Sequence, residues 1–397
     1  MQQPSSPAVP AVSERMLRIG TESAFEVSAR ARALEAQGRS IVHLNIGEPD
    51  ADSPRAAIAA AKAALDAGAT HYGPYAGLPD LRAAVADDVR LRKGVAARPE
   101  DVFITVGGKG VMVNTILGLI DPGDEVIVPD PAYPIYDSLT RFCGGVPVPI
   151  PLRAEDGFAL DPDRVAAAIG PRTKMLVLNS PANPTGGVIG RAALERLAEL
   201  AVAHGLLVLS DEIYARILYD GEEHVSIAAL PGMAERTVIL DGFSKTYAMT
   251  GWRLGYAVVP AWFAPHFGRL IINTISCVPT FVQHGAVAAL RGPQDEVDAM
   301  VAELAVRRDI VVDGLNAIPG FRCTRPTGAF YAFPDVSGTG LTGVEMAERL
   351  LMEAGVCVLS GAAFGAAAEG NIRISYATSR DALRSGLERI DTFVRGL

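Results

Sequence analysis

A lysine and an arginine stand eight residues apart in the stretch Ser244-Lys245-Thr246-Tyr247-Ala248-Met249-Thr250-Gly251-Trp252-Arg253, directly after the apolar run Val238-Ile239-Leu240. A lysine held at the end of a buried strand can lose its proton and attack an aldehyde, giving a Schiff base. An arginine a short way along can hold a phosphate with its planar fork. An aldehyde and a phosphate on one molecule describe pyridoxal phosphate (PLP). Taken alone, such a pair is more often two solvated surface charges. The rest of the chain decides between the two readings.

Lys245 needs a strand to hold it, and the sequence supplies one in a longer pattern. From residue 100 onward, short apolar runs alternate with longer helical patterns. The runs Val102-Val106, Glu125-Val128, Lys174-Leu178, Leu206-Leu209 and Thr237-Leu240 show little polar alternation, as strands of a parallel sheet covered on both faces do. Between two of them, Arg191-His204 carries Leu194, Leu197, Ala198 and Ala201 on one helical stripe. This alternation predicts an open, mostly parallel α/β sheet.

Polar segments follow each run: Gly107-Gly108-Lys109-Gly110 before the helical Val111-Ile120, then Pro129-Asp130-Pro131-Ala132-Tyr133-Pro134, Asn179 to Gly186, Ser210-Asp211-Glu212-Ile213-Tyr214, and Asp241 to Lys245. Open α/β sheets bind ligands at the carboxyl ends of their strands, where all these segments fall. Each also has a plain reading. The glycines can be a tight turn or can offer N–H groups to a phosphate. Asn183-Pro184-Thr185-Gly186 is good turn chemistry, Asp211 can be a helix cap, and Tyr133 can be packing. Their convergence at one sheet edge favours the functional reading.

The 397 residues are 49% hydrophobic and carry a net charge of -9. That length predicts two or three domains with a real core. The acidic balance argues against nucleic acid and anionic membrane as partners but leaves room for a small anion held by local donors. Cys143, Cys277, Cys323 and Cys357 are scattered, without metal-type spacing, so neither a disulfide framework nor a metal site is expected. Residues 1–12 are rich in Pro and Ser and lack the apolar core of a signal peptide, which predicts a flexible lead-in. No apolar stretch reaches about 18 residues, so a cytoplasmic protein without a membrane span is expected.

The chain resembles the class I/II aminotransferases, the aspartate aminotransferase-like PLP enzymes of fold type I. The likeness rests on Asn45-Ile46-Gly47-Glu48-Pro49-Asp50, His71-Tyr72-Gly73-Pro74-Tyr75-Ala76-Gly77, Asn183-Pro184-Thr185-Gly186, Asp211-Glu212-Ile213-Tyr214, Ser244 to Arg253, and Asn371-Ile372-Arg373-Ile374-Ser375-Tyr376. It implies that Lys245 carries the cofactor as a Schiff base and shuttles the substrate proton, with Asp211 on the pyridine nitrogen. Asn183 and Tyr214 would hydrogen-bond the phenolic oxygen, and Tyr133 would stack on the ring. Gly108, Lys109 and Arg253 would hold the phosphate, with Tyr72 and Ser276 reaching it from a partner subunit. Arg373 would grip the substrate carboxylate beside Asn183 and the backbone of Gly47.

Two positions depart from the family pattern. Gly242 stands where many relatives have a phosphate-binding hydroxyl, which leaves Ser244 either to supply it or to pack. Ile271-Ile272-Asn273 occupies the region where some dicarboxylate enzymes present an arginine, with Arg269 nearest. The likeness further implies a homodimer with shared active sites. It also implies a large PLP-binding domain over residues 50–290, and a smaller α+β domain of residues 291–397 joined by residues 1–49. Within the small part, Pro293-Ile318 and Val344-Ala354 are predicted helices and Gly328-Phe333 a strand. Chain entry is predicted through the helix Ala56-Ala67, capped by Ser53, with Pro54 at N1 and Gly68 after its end.

The implied reaction moves an amino group from an L-amino acid to a 2-oxo acid, with 2-oxoglutarate favoured by family prevalence. A β-lyase, decarboxylase or oxidase reaction on the same scaffold stays open. Phe25, Tyr75, Phe330 and Phe364 are candidate pocket residues.

Overall fold

The computed structural model describes residues 11–20 and 23–397. The lead-in expected over residues 1–12 falls outside them up to residue 10, and residues 14–17 form a short 3-10 turn.

The strands, in chain order, are β1 (Val42–His43), β2 (Val102–Val106), β3 (Glu125–Asp130), β4 (Val146–Pro151), β5 (Thr173–Asn179), β6 (Leu207–Asp211), β7 (Thr237–Gly242), β8 (Leu254–Val258), β9 (Tyr331–Ala332), β10 (Val356–Cys357), β11 (Leu359–Ser360) and β12 (Ile372–Ser375). Seven form one sheet in the order β2-β8-β7-β6-β5-β3-β4. All its pairings are parallel except those of β8, which is antiparallel to β2 and to β7. The apolar runs are continuous because both faces are covered. Ile127, Leu176, Leu178 and Val208 enter one core cluster, and their chain neighbours Val126, Val128, Met175, Val177 and Leu209 enter another.

Two strands of this sheet carry no such signal in the sequence. β4 reads Val-Pro-Val-Pro-Ile-Pro and pairs only with β3 at the sheet edge, where the N–H groups that proline lacks are not needed. β8 follows the Lys245 loop and returns into the sheet between β2 and β7, so the loop is anchored at both ends. That return is tight. A Cβ at Gly242 would lie 2.8 Å from Gly255 Cα, and one at Gly255 would lie 2.6 Å from the Gly107 carbonyl carbon. The hydroxyl-bearing residue that many relatives carry at this place does not fit here without a backbone shift.

Helices α1 (Ser23–Glu35), α2 (Arg55–Asp66), α3 (Pro79–Lys93), α4 (Gly107–Leu119) and α5 (Ile135–Phe142) lead up to and cross the first half of this sheet. α4 begins at Gly107, so the glycine segment is the helix's first turn and not a loop before it. α2 begins at Arg55 with Pro54 at the cap, and Ser53 does not cap it. The Ser53 hydroxyl instead donates to Ala248 O at 2.9 Å and accepts from Trp252 Nε1 at 3.0 Å, tying the chain to the Lys245 loop. Gly68, with φ +80°, ends the helix as expected.

A second core gathers Leu44 with Phe330, Tyr331, Val356, Ile374 and Leu383. β1 pairs in parallel with β10, while β11, β12 and β9 form an antiparallel sheet. The long helix Asp295–Asn316 and the helical stretch over 343–354 lie near their expected bounds, the latter widening to a π-turn from Leu350. The strand expected over 328–333 is confined to Tyr331–Ala332. Gly328 and Ala329 are instead engaged with the 217–218 segment, Ala329 N donating to Ile217 O at 2.9 Å. No helix among the described residues is long and apolar enough to cross a membrane.

Candidate active site

The strand ends enclose a cavity of about 490 Å³ lined by Lys245, Asp211, Tyr214, Asn183, Arg253 and Arg373, among others. Gly47, Gly108, Lys109, Tyr133 and Ser244 line it too. Residues from seven separate segments, remote in sequence, therefore meet at the carboxyl edge of the sheet. Register places Asn179 beside Asp211 across β5 and β6, and Asp211 beside Leu240 across β6 and β7. Lys245 follows β7, and its Nζ donates to Gly47 O at 2.6 Å.

Asp211 is 2% exposed, and its Oδ2 accepts from the Tyr136 hydroxyl at 2.6 Å while Oδ1 accepts from Ile213 N at 3.1 Å. Burial pushes its pKa up from 3.8 to about 7. The Tyr136 and Ile213 hydrogen bonds oppose the rise, and the nearby Asp241 and Glu212 charges add to it. The group is thus poised to exchange a proton with a basic ring nitrogen placed against it.

The same shift fixes a pH dependence. The native chain binds the Asp211 proton more tightly than the unfolded chain does. Its contribution to stability is therefore full below about pH 4 and is lost as the pH rises to about 7. In the cofactor-free protein, unfolding free energy relative to Asp211→Asn is expected to fall by about 4 kcal/mol over that range. Urea unfolding at several pH values measures it, and a pH-independent difference between the two proteins would contradict the assignment.

The start of α4 forms an anion cradle. Its first N–H groups have no intrahelical acceptors. Gly107 has φ +65°, and a Cβ there would lie 2.6 Å from Arg253 Nη2, so the guanidinium is packed against the first helical turn. Arg253 is itself left-handed at φ +54° after the short turn Thr250–Trp252, and its Nη1 donates to Thr250 O at 2.7 Å. A glycine at 107 is required by both the φ and the close approach. Ser244 is buried and lines the same cavity.

At the other end, Arg373 is 4% exposed on β12. Nη1 donates to Asn183 Oδ1 at 2.9 Å and Nη2 to Asn45 O at 2.6 Å, both neutral acceptors. Its guanidinium lies 4.5 Å from the Tyr331 ring centroid and 4.8 Å from that of Phe364. Its Nε is buried without a hydrogen-bond partner among the described residues. A buried cation with neutral partners favours an anionic ligand.

Some expected residues lie apart. In this chain Tyr72 is 90% exposed and lines no part of the cavity, and Ser276 is also outside it. Tyr75 packs near Gly268 and Phe103, away from the site. Of the pocket candidates, Phe25 lines the cavity, Phe364 covers Arg373, and Phe330 is fully buried with its ring centroid 6.0 Å from Lys245 Nζ. The Tyr214 hydroxyl is bonded to that of Tyr331 at 2.7 Å.

Tyr136 and Tyr331 do not stand out in the sequence as site residues. Tyr136 looks like an interior residue of an amphipathic helix, and only its position one turn after Tyr133, at the end of β3, hints that it shares the site. The residues fit PLP in kind: an amine, a poised acid, a helix start with free N–H groups beside an arginine, and a buried cation with neutral partners face one cavity.

The sequence profile described as Aminotransferase class I and II matches residues 39–390. The aspartate aminotransferase of Pyrococcus abyssi is 41% identical over 90% of this chain and 92% of its own length. The arginine–pyruvate transaminase of Pseudomonas aeruginosa is 42% identical over 93% of each chain. The solved structure of the Thermus thermophilus aspartate aminotransferase with maleate superposes with a TM-score of 0.92. It is 42% identical and is matched over 98% of this chain and 100% of that one. With profile, relatives and site chemistry in agreement, the chain belongs to the class I and II aminotransferases, PLP-dependent enzymes that move an amino group between an amino acid and a 2-oxo acid.

Proposed function

We propose that this aminotransferase draws on a broad range of L-amino acids and delivers the amino group to 2-oxoglutarate, with Lys245 as the amine that carries the cofactor. The observation that carries this reading is the buried Arg373, hydrogen-bonded to neutral acceptors and open to the cavity that holds Lys245 and Asp211. Every α-amino acid and every 2-oxo acid brings a carboxylate to such a group, whatever its side chain. The relatives named for aspartate and for arginine support a scaffold that tolerates different side chains.

When bound, PLP supplies an electron sink and an amino-group carrier. Lys245 then takes and returns the substrate Cα proton. Asp211, positioned by Tyr136, would keep a proton on the ring nitrogen. Asn183 and Tyr214 would donate towards the ring's phenolic oxygen, and Tyr133 would cover one ring face. The N–H groups of Gly108 and Lys109, with Ser244 and Arg253, would hold the phosphate, and Tyr72 of the partner subunit would complete that set. Arg373, Asn183 and the backbone of Gly47 orient the substrate carboxylate.

A cytoplasmic homodimer belongs to the same proposal. The exposed apolar groups Tyr72, Tyr75, Ile272 and Ile275 support a covered face. A division at residues 50 and 290 also belongs to it, supported by the pairing of Val42–His43 with Val356–Cys357.

The test is the visible absorbance of the purified holoenzyme against a panel of single L-amino acids. The bound-cofactor band is expected to fall with each true donor and to return on addition of 2-oxoglutarate. Bleaching with release of ammonia, carbon dioxide or peroxide would instead assign a lyase, decarboxylase or oxidase reaction. Return with another 2-oxo acid but not with 2-oxoglutarate would reject the proposed acceptor.

A further inference from the structure

A second, smaller cavity of about 40 Å³ is lined by Lys93, His224, Asp241 and Gly242, none of which lines the large one. Beside it lies a buried ion triad that the proposed chemistry does not use. Lys93, the last residue of α3, reaches Glu212 Oε2 and Asp241 Oδ2, each at 2.7 Å. Glu212 also accepts from Ser210 Oγ at 2.9 Å and Ser226 Oγ at 2.7 Å, and its Oε2 meets His224 Nε2 at 2.9 Å. Asp241 accepts further from Gly242 N at 2.6 Å and the Tyr256 hydroxyl at 3.1 Å.

Location is what makes this triad informative. Glu212 directly follows Asp211, the last residue of β6, and Asp241 stands on the adjacent β7, four residues before Lys245. A buried ion pair is no more stabilising than a well-packed apolar set, so stability alone does not explain three charges here. The triad holds two carboxylates and one ammonium, which leaves one negative charge in excess behind the two groups that handle protons.

We propose that Lys93, Glu212 and Asp241 form a positioning cluster for the transamination site, its single excess negative charge favouring protons at Asp211 and at the Lys245 end of the bound cofactor. This rests on the roles given above to Asp211 and Lys245. Burial alone would lower the Lys93 pKa, but the two carboxylates hold it above its ordinary value. Burial would raise that of Glu212, but Lys93 and His224 hold it below the usual carboxylate range. Burial raises that of Asp241, and Lys93 opposes the rise. The charges of Asp241 and Glu212 both act to raise that of Asp211. The remaining ionisable groups on the small cavity are Asp88, Arg92, Arg216, Tyr247 and Tyr256, which all the variants below leave in place.

The experiment is a pH titration of the visible absorbance of the holoenzyme. Glu212→Gln and Asp241→Asn each keep volume and an accepting oxygen while removing one negative charge. Each is expected to lower the midpoint by about one pH unit, a roughly tenfold weaker proton affinity. Lys93→Met combined with Glu212→Gln restores the net charge and is expected to return the midpoint to within about 0.3 unit of the unaltered enzyme, despite a lower melting temperature.

A cluster serving only packing would move melting temperatures and leave every midpoint in place. That result overturns the proposal, as does a double variant shifted as far as Glu212→Gln. If the double variant fails to fold, the two isosteric variants decide the matter. An unaltered holoenzyme without a visible band removes both this proposal and the role of Lys245. A normal titration with unmoved variants removes the cluster alone.

Discussion

Lys245→Ala is expected to lower turnover with every amino acid by at least about 10⁴-fold while leaving the chain folded. The magnitude follows from losing the two functions proposed for one atom, attachment of the cofactor and transfer of the Cα proton. The folded state loses little, because the side chain is half-buried and its hydrogen bond to Gly47 O contributes about 1–3 kcal/mol. The alternative amine is Lys109, which lines the same cavity with its Nζ 5.8 Å from the Phe25 ring centroid and 5.9 Å from that of Tyr133. Borohydride reduction of the holoenzyme, followed by peptide mass spectrometry, separates them. The cofactor's mass is expected on the peptide carrying Lys245. Its appearance on Lys109, or ordinary turnover by Lys245→Ala, would reverse the assignment.

The sequence made the sheet and the chemistry at its edge legible for a physical reason. Strands covered on both faces must be apolar throughout, and the polar residues that end them mark where the sheet meets ligand. β2, β3, β5, β6 and β7 all announce themselves in this way. β4 is hidden because three prolines read as loop wherever edge position is unknown. β8 is hidden because its five residues follow a functional loop and its Gly255 breaks the apolar run.

Within the site, residues in line with a strand end, such as Asp211 and Lys245, could be found from spacing. Groups that arrive from elsewhere could not. Tyr136 reaches Asp211 from α5, Tyr331 reaches Tyr214 across 117 residues, and Lys93 meets Glu212 across 119. Their roles depend on distances that only the fold creates. Ser53 shows the reverse error: a sound local signal for a helix cap was overridden by a tertiary partner, the loop that carries Lys245.

Arg373→Ala is expected to raise KM by about 100-fold or more for every amino acid and every 2-oxo acid tested. The guanidinium is sandwiched by Tyr331 and Phe364 and fixed by Asn183 and Asn45, so its fork is pre-set and little order is lost when a carboxylate binds. Removing it leaves a substrate carboxylate desolvated with no counter-charge, which costs about 3–5 kcal/mol. The uniformity of the effect is the diagnostic part, because the α-carboxylate is common to all these substrates while their side chains are not. An amine lacking a carboxylate provides the internal control, since its reaction should change less than about threefold. Arg373→Lys keeps the charge but loses the planar pair of donors, so it should fall between the two. A KM that rises for one substrate and not for others would make Arg373 a side-chain reader, and an unchanged KM would remove it from the substrate site.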